Sequence, residues 1–244
     1  MKLITNFNMK ILISLPVYNE ELVVEKNTLE LLRFCRQELA GHDFIIVISD
    51  NNSNDQTGEI GRRLASNYPE IEYIFIPQKG KGLAWKTAFL NYQADIYIVM
   101  DVDLAVDLRA VKEMVKYIGE GYDLVIGSRN LPDSRVKRSF SRNLISHAYS
   151  NLVKLILKTK ISDSQCGFKA ISQKVRENVL PQTKDIGFFL DTEIVIMAES
   201  QGYKIKEIPV NWVEARDERR KSTVNILETS WHYLRQIKEL KKKS

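Results

Sequence analysis

Two aspartates one residue apart, Asp101 and Asp103, close the apolar run 96–100 in the stretch IYIVMDVDLAVDLRAV. Carboxylates this near one another resist joint ionisation, and a divalent cation removes the conflict. Hard cations select oxygen, and Mg²⁺ takes one or two protein carboxylates and fills its remaining positions with water and phosphate oxygens. In an extended segment, residues i and i+2 face the same side, so Asp101 and Asp103 can share one ion. The alternatives are a cap for a helix beginning near Leu108, or a plain polar loop. Placement at the mouth of a buried strand favours the cation, Mg²⁺ or Mn²⁺.

The elements that must position this pair are legible as an alternation. Apolar runs at 10–16, 44–50, 71–77, 96–101 and 123–128 read as strands, with helical patterns at 22–39, 57–67, 82–92 and 108–118 between them. Non-alternating Ile- and Val-rich runs suit strands buried on both faces. Strand–helix alternation predicts an α/β fold, a Rossmann-like, mostly parallel sheet flanked by helices. The second half differs, with a helix over 140–158, a strand at 167–172, a helix within 187–201, an alternating strand at 203–214 and a last helix over 224–241. One domain over 1–244 is expected, with a nucleotide-binding half at about 9–128 and an acceptor half at about 129–244.

Ligands of such sheets bind at the carboxyl ends of the strands, where strand order reverses. Those ends carry Pro16, Tyr18, Asn19 and Glu20, then Asp50, Asn51, Asn52 and Asp55, then QKGKG, then DVD. Acids, amides and a lysine along one edge point to a nucleotide whose base, ribose and diphosphate span it.

Across 244 residues the formal charge is only +5, but its distribution is uneven. Eight Lys and Arg between 129 and 160 face one acid, Asp133, and five more crowd residues 235–244 beside Glu239. Such patches suit an anionic partner, whether nucleic acid, phosphate or lipid surface; a solvated basic face is the bland alternative. Two distant cysteines, Cys35 and Cys166, make no disulfide framework and fit a reducing compartment. With no secretory pattern at the N-terminus and no run of about 18 apolar residues, the expectation is a cytoplasmic chain, peripheral at most on the cytoplasmic face of a membrane.

Taken together, LPVYNEE, SDNNSNDQT, KGKG, DVDL, GSRN, SFSRNLISHA, SDSQCGFKAIS, FFLDTEI and KIKEIPVNWVEAR resemble the family 2 glycosyltransferases of GT-A fold. Within them, the order resembles the polyprenyl- or dolichyl-phosphate glucose and mannose synthases. The resemblance implies a nucleotide-sugar donor such as UDP-glucose or GDP-mannose, a polyprenyl-phosphate acceptor, a membrane surface and no nucleic acid; a separate membrane protein is a further possible partner. It places Pro16, Tyr18, Glu20 and Asp50 around the nucleoside, Lys81 near the base or diphosphate, Asn51 and Val102 among the donor-binding residues, and Asp101 and Asp103 at the metal. It assigns the acceptor phosphate to Arg129, Arg142 and Ser146; Arg216 and Lys221 read as an acceptor loop closing over the diphosphate, with a solvated turn as the alternative. Two positions depart from the pattern: Asn51 stands where a second Asp is usual, and Ala105 replaces a Gln that assists the metal in mannose synthases.

An ionised phosphate acceptor needs no strong base, so inversion in one displacement is expected, driven by orientation and electrostatics. Asp191 is the candidate to orient a hydroxyl or serve as base; its alternative is a helix N-cap ahead of IVIMAES. The competing functions are transfer to a glycan hydroxyl and a non-catalytic anion-binding protein.

Overall fold

A computed structural model of the chain describes residues 8–137, 140–213 and 226–241; for residues 140–145, 226–232 and 234 only the backbone is described. Five strands alternate with four helices: β1 (Lys10–Val17), α1 (Val24–Glu38), β2 (Asp43–Asp50), α2 (Thr57–Asn67), β3 (Ile71–Phe75), α3 (Lys81–Asn91), β4 (Ile96–Val99), α4 (Arg109–Gly119) and β5 (Leu124–Ser128). There follow β6 (Arg135–Lys137), α5 (Phe140–Leu157), β7 (Lys169–Ser172), α6 (Gln173–Asn178), a 3₁₀ turn at Leu180–Gln182, α7 (Leu190–Ser200), β8 (Ile205–Pro209), β9 (Asn211–Val213) and α8 (Ile226–Lys241).

The main sheet has seven strands in the order β3-β2-β1-β4-β7-β5-β8. Its pairings are parallel except those of β7, which runs antiparallel to both β4 and β5. β4 and β5 are buried at every position, as runs covered on both faces require. In α1 the buried residues Val24, Thr28, Leu31, Leu32 and Cys35 recur at helical spacing, one stripe facing the core, whereas α7 is buried at every position from Leu190 to Ile196. A second, smaller core joins α5, α7 and α8 through Val153, Phe189, Ile196, Ile237 and Leu240.

The alternating run 203–214, expected as one strand, is two. β8 extends the main sheet, whereas β9 pairs in parallel with β6 in a separate two-stranded sheet. The break falls at Pro209, whose ring removes the backbone donor a continuing ladder needs. β6 was not expected from sequence; its three residues RVK are too few to carry a period.

Candidate active site

Strand order reverses between β1 and β4, so their carboxyl ends open the crevice where such sheets bind ligands. Pro16 and Val17 finish β1 opposite Ser49 and Asp50 of β2. Tyr18 crosses toward the loop after β3: its hydroxyl accepts from Lys79 Nζ at 2.8 Å, and the same ammonium lies 4.7 Å from the ring centre. Glu20 anchors the turn, its N–H donating to Thr57 Oγ1 at 2.8 Å and its carbonyl accepting from Val23 and Val24.

Asp50 is turned into the fold. Its Oδ1 accepts the Ser53 N–H at 2.9 Å and its Oδ2 the Tyr73 hydroxyl at 2.8 Å, with the residue 1% exposed. Burial and this carboxylate together push the Tyr73 hydroxyl well above its ordinary value. These two bonds give Asp50 a positioning role for the loop after β2. Asn51 likewise holds backbone in place. Its Nδ2 donates to the Gln78 carbonyl at 2.9 Å and its Oδ1 accepts the Gly80 N–H at 2.7 Å. A carboxylate could not make the first bond, which gives the Asp-to-Asn departure a physical reason.

The glycines of QKGKG serve close packing against residues 186–190. A Cβ on Gly80 would lie 2.4 Å from the Ile186 carbonyl oxygen, and one on Gly82 would lie 2.5 Å from that of Gly187 and 2.7 Å from Leu190 Cβ. The Leu83 N–H donates to Ile186 O at 2.8 Å, so this segment also satisfies the start of α3. Lys81, the first residue of α3, is thereby held at the end of β4, and its ammonium is ion-paired with Asp101 Oδ1. Burial alone would lower the lysine, but Asp101, with Asp191 and Asp103 behind it, holds it above its ordinary value.

The DVDLA turn is strained and clamped. Leu104 adopts φ 50°, a left-handed conformation costly for a bulky residue. Within the turn, the Leu104 N–H donates to Asp101 O at 3.2 Å and the Ala105 N–H to Asp103 Oδ1 at 3.1 Å. β9 fixes it from outside: the Val213 N–H donates to Ala105 O at 2.8 Å and the Asp107 N–H to Asn211 O at 3.2 Å. Val102 is buried, and its carbonyl accepts from Asn27 Nδ2 at 2.9 Å. The N-cap of α4 is Leu108, and Asp107 just before it accepts the Arg109 N–H at 3.0 Å, so Asp101 and Asp103 are not helix caps. Ala105 lines a small pocket beside Asp101 with Met100, Val106, Gly167, Phe168 and Trp212.

Among the described residues no group of three or more His, Cys, Asp and Glu side chains forms a metal cage. A divalent ion would rest on Asp101 and Asp103 and draw its other ligands from phosphate and water, the pattern of Mg²⁺. The segment is a turn and not the extended strand expected from sequence, so strand alternation does not set the two carboxylates side by side; what suits them to a cation is that both attract the Lys81 ammonium, which stands on Asp101.

In the second half of the chain, Arg129 forms a two-point pair with Asp163: Nε to Oδ2 at 2.7 Å and Nη2 to Oδ1 at 2.9 Å. Its guanidinium lies 5.2 Å from the Trp212 ring centre. The fork expected to grip phosphate is thus largely committed inside the protein. Burial would raise the Asp163 carboxyl, but Arg129 holds it below the usual carboxylate range. Glu207 of β8 supports the same loop by accepting the N–H groups of Ser162 and Asp163.

Asp191 lies in the first turn of α7, whose N-cap is Phe189, so the capping alternative does not hold. Asp191 Oδ1 accepts from Lys169 Nζ at 3.0 Å, both side chains being buried. Lys169 also donates to the Cys166 carbonyl. Cys166 itself is fully buried, and burial pushes its thiol up to about 11. Sequence reasoning missed Lys169 and Asp163. The signal was available for Lys169: a lysine inside a buried strand requires a buried counter-charge. Arg142 and Ser146 both fall on α5, with Ser146 partly exposed; Arg216 and Lys221 lie outside the described residues.

The model of the family described as "Glycosyl transferase family 2" matches residues 13–180. Glycosyltransferase AglD of Haloferax volcanii is 32% identical over 210 residues, covering 85% of this chain and 34% of that protein. Dolichol-phosphate mannosyltransferase of Pyrococcus furiosus is 31% identical over 238 residues, covering 96% and 64%. Dolichyl-phosphate beta-glucosyltransferase of Saccharomyces cerevisiae is 28% identical over 220 residues, covering 82% and 66%. The chain thus spans between 34% and 66% of these relatives' lengths. Among solved structures, glucosyl-3-phosphoglycerate synthase of Mycobacterium tuberculosis, in complex with Mn²⁺, UDP and phosphoglyceric acid, shares the fold. Its TM-score is 0.66 at 19% identity, over 94% of this chain and 76% of that one.

Proposed function

The chain belongs to glycosyl transferase family 2, and from this we propose that it moves a hexose from a nucleotide-diphospho-sugar to a polyprenyl monophosphate, inverting the anomeric centre. The carrying observation is the meeting of Lys81 and Asp101 at the β1–β4 crevice, directly against Gly167 of the acceptor half. The lipid acceptor is supported by the names of the Pyrococcus and Saccharomyces relatives and by the basic stretch that begins at Arg129.

A divalent ion at Asp101 and Asp103, Mg²⁺ or Mn²⁺, would supply Lewis-acid stabilisation of the departing diphosphate. Lys81 adds a positive charge on the same side, at the position where negative charge develops. Tyr18 and Lys79 form one wall of the nucleoside site, and Asp50 and Asn51 hold its loops. On the other side Arg129 is a fixed positive pole, anchored by Asp163, while Arg142 and Ser146 of α5 provide direct phosphate contacts, completed by Arg216 and Lys221. The acceptor is already an anion near neutral pH, so no proton need be removed from it. Asp191, hydrogen-bonded to Lys169, orients the sugar instead of taking a proton.

No helix among the described residues is long and apolar enough to cross a membrane. A lipid acceptor then calls for docking on the cytoplasmic face of an anionic bilayer. Leu155 of α5 is 79% exposed beside Lys154, Lys158 and Lys160, the composition of an interfacial contact.

The test is transfer of labelled sugar from UDP-glucose, GDP-mannose and related donors to polyprenyl phosphate, with and without EDTA. Label in the organic phase from one donor, abolished by EDTA, is expected. Metal-dependent donor hydrolysis without lipid labelling would retain the donor site and remove the acceptor assignment.

A further inference from the structure

The ion pair between Lys81 and Asp101 joins a potential metal ligand to a lysine. We propose that Lys81 is a place-holding cation: in the unloaded protein it occupies Asp101 in place of the divalent ion, and it leaves only when a nucleoside diphosphate arrives to receive it. This rests on the reading of Asp101 and Asp103 as the metal carboxylates, and goes beyond it by assigning an order of occupation.

Local structure does not favour an ammonium at this position. Lys81 opens α3, the end of a helix that repels cations, and no acid stands in that first turn. Asp101 holds it there across the crevice, with Asp191 and Asp103 adding attraction. The contact is partly covered, with the two side chains 22% and 28% exposed. A Cβ on Gly167 would come within 3.0 Å of Asp101 Oδ2 and 3.1 Å of Lys81 Nζ, and the Phe188 ring centre is 5.6 Å from the ammonium.

Mg²⁺ binds carboxylate oxygen at about 2.1 Å and tolerates little departure from octahedral geometry. On the oxygen that already bears the ammonium, it would meet strong repulsion between like charges. One cation must therefore yield. Lys81 has a flexible four-carbon stem and a rotatable point charge, while Asn51 and the 186–190 segment fix the backbone at its base. The side chain can exchange Asp101 for a phosphate oxygen without moving the loop. Metal and donor then enter as a unit, and free divalent ion alone is held weakly.

The experiment is Mn²⁺ titration of the full chain, read from the free-ion electron paramagnetic resonance signal. It uses wild type, Lys81→Met and Lys81→Arg, each alone and with UDP or GDP, corrected for Mn²⁺ bound by the nucleotide in solution. In wild type, one nucleotide should tighten Mn²⁺ binding by about tenfold or more, a typical coupling between linked sites. Lys81→Met should bind Mn²⁺ alone about tenfold more tightly than wild type and lose most of the nucleotide effect. Lys81→Arg, which keeps the charge, should behave as wild type. Equal Mn²⁺ affinity in wild type with and without nucleotide overturns the proposal while retaining the metal site, and this arm does not depend on any variant folding. The same holds if folded Lys81→Met binds Mn²⁺ alone no better than wild type. Absence of Mn²⁺ binding in every arm overturns both the proposal and the metal reading beneath it.

Discussion

Asn51 Oδ1 accepts the Gly80 N–H at 2.7 Å, and this bond ties the end of β2 to the loop that delivers Lys81. The other half of the amide, donating to Gln78 O, closes the clamp. Asn51→Asp restores the residue more usual at this position of the motif, yet it sets a carboxylate oxygen against a carbonyl oxygen. The substitution should cost about 1–3 kcal/mol of stability, the penalty for a lost partner in a buried polar group. Urea denaturation measures the first effect, and a raised KM for the donor with little change in kcat would mark the loosened loop.

Asp163 is expected to make stability depend on acid. Its carboxyl is held below the usual range by Arg129. A group depressed in the folded state contributes stability that is complete above its unfolded value, near 3.9, and is lost as pH falls through the folded one. Asp163→Asn leaves a buried guanidinium without its counter-charge and should destabilise by about 3–5 kcal/mol at neutral pH. The gap between variant and wild type should stay level down to about pH 5 and narrow below about pH 4. A gap that widens in acid would show that Asp163 is not the group responsible.

Two glycines should respond to alanine with opposite sign. At Gly82 the new methyl meets the Gly187 carbonyl and Leu190, and overpacking of this kind costs about 1–3 kcal/mol. At Gly119, on the exposed end of α4, the nearest atom is the flexible Met9 Cε at 3.5 Å. There the gain in helix propensity should raise stability by up to about 1 kcal/mol. Thermal melts of both variants decide the matter.

Asp101 and Asp191 should separate by the kind of loss each produces. Asp101→Asn should lower transfer by about 10²-fold or more, as loss of transition-state charge stabilisation does, and abolish the Mn²⁺-dependent rise in melting temperature that donor nucleotide gives. Asp191→Asn strands Lys169 and should unfold more easily by about 3–5 kcal/mol. Per folded molecule it should keep transfer to polyprenyl phosphate within about tenfold, since a missing general base would cost about 10²–10⁴. A loss in that larger range would favour a hydroxyl acceptor.

The sequence carried the sheet well because burial on two faces leaves a continuous apolar run, and β1, β2, β4 and β5 each begin and end within two residues of such a run. DVD and QKGKG follow the ends of β4 and β3, as the run boundaries imply. What the sequence could not carry was direction. Asp50 and Arg129 occupy the places their motifs imply, but their charged groups face Ser53, Tyr73 and Asp163. Tyr73 and Asp163 are 23 and 34 residues distant from their partners in the chain, and no local pattern encodes those pairings. The β9 clamp on the DVDLA turn escaped for the same reason, being a contact across more than a hundred positions between Ala105 and Val213.

The antiparallel β7 has a consequence for how the molecule is made. It pairs with β4 on one side and β5 on the other, yet it is synthesised more than forty residues after β5. Until Ser172 has left the ribosome, both neighbours present bare ladders, and those exposed edges invite association with other chains. The nascent chain must wait for β7 before its sheet becomes continuous, and a fragment ending after β5 should collect in aggregates instead of forming a small donor-binding module.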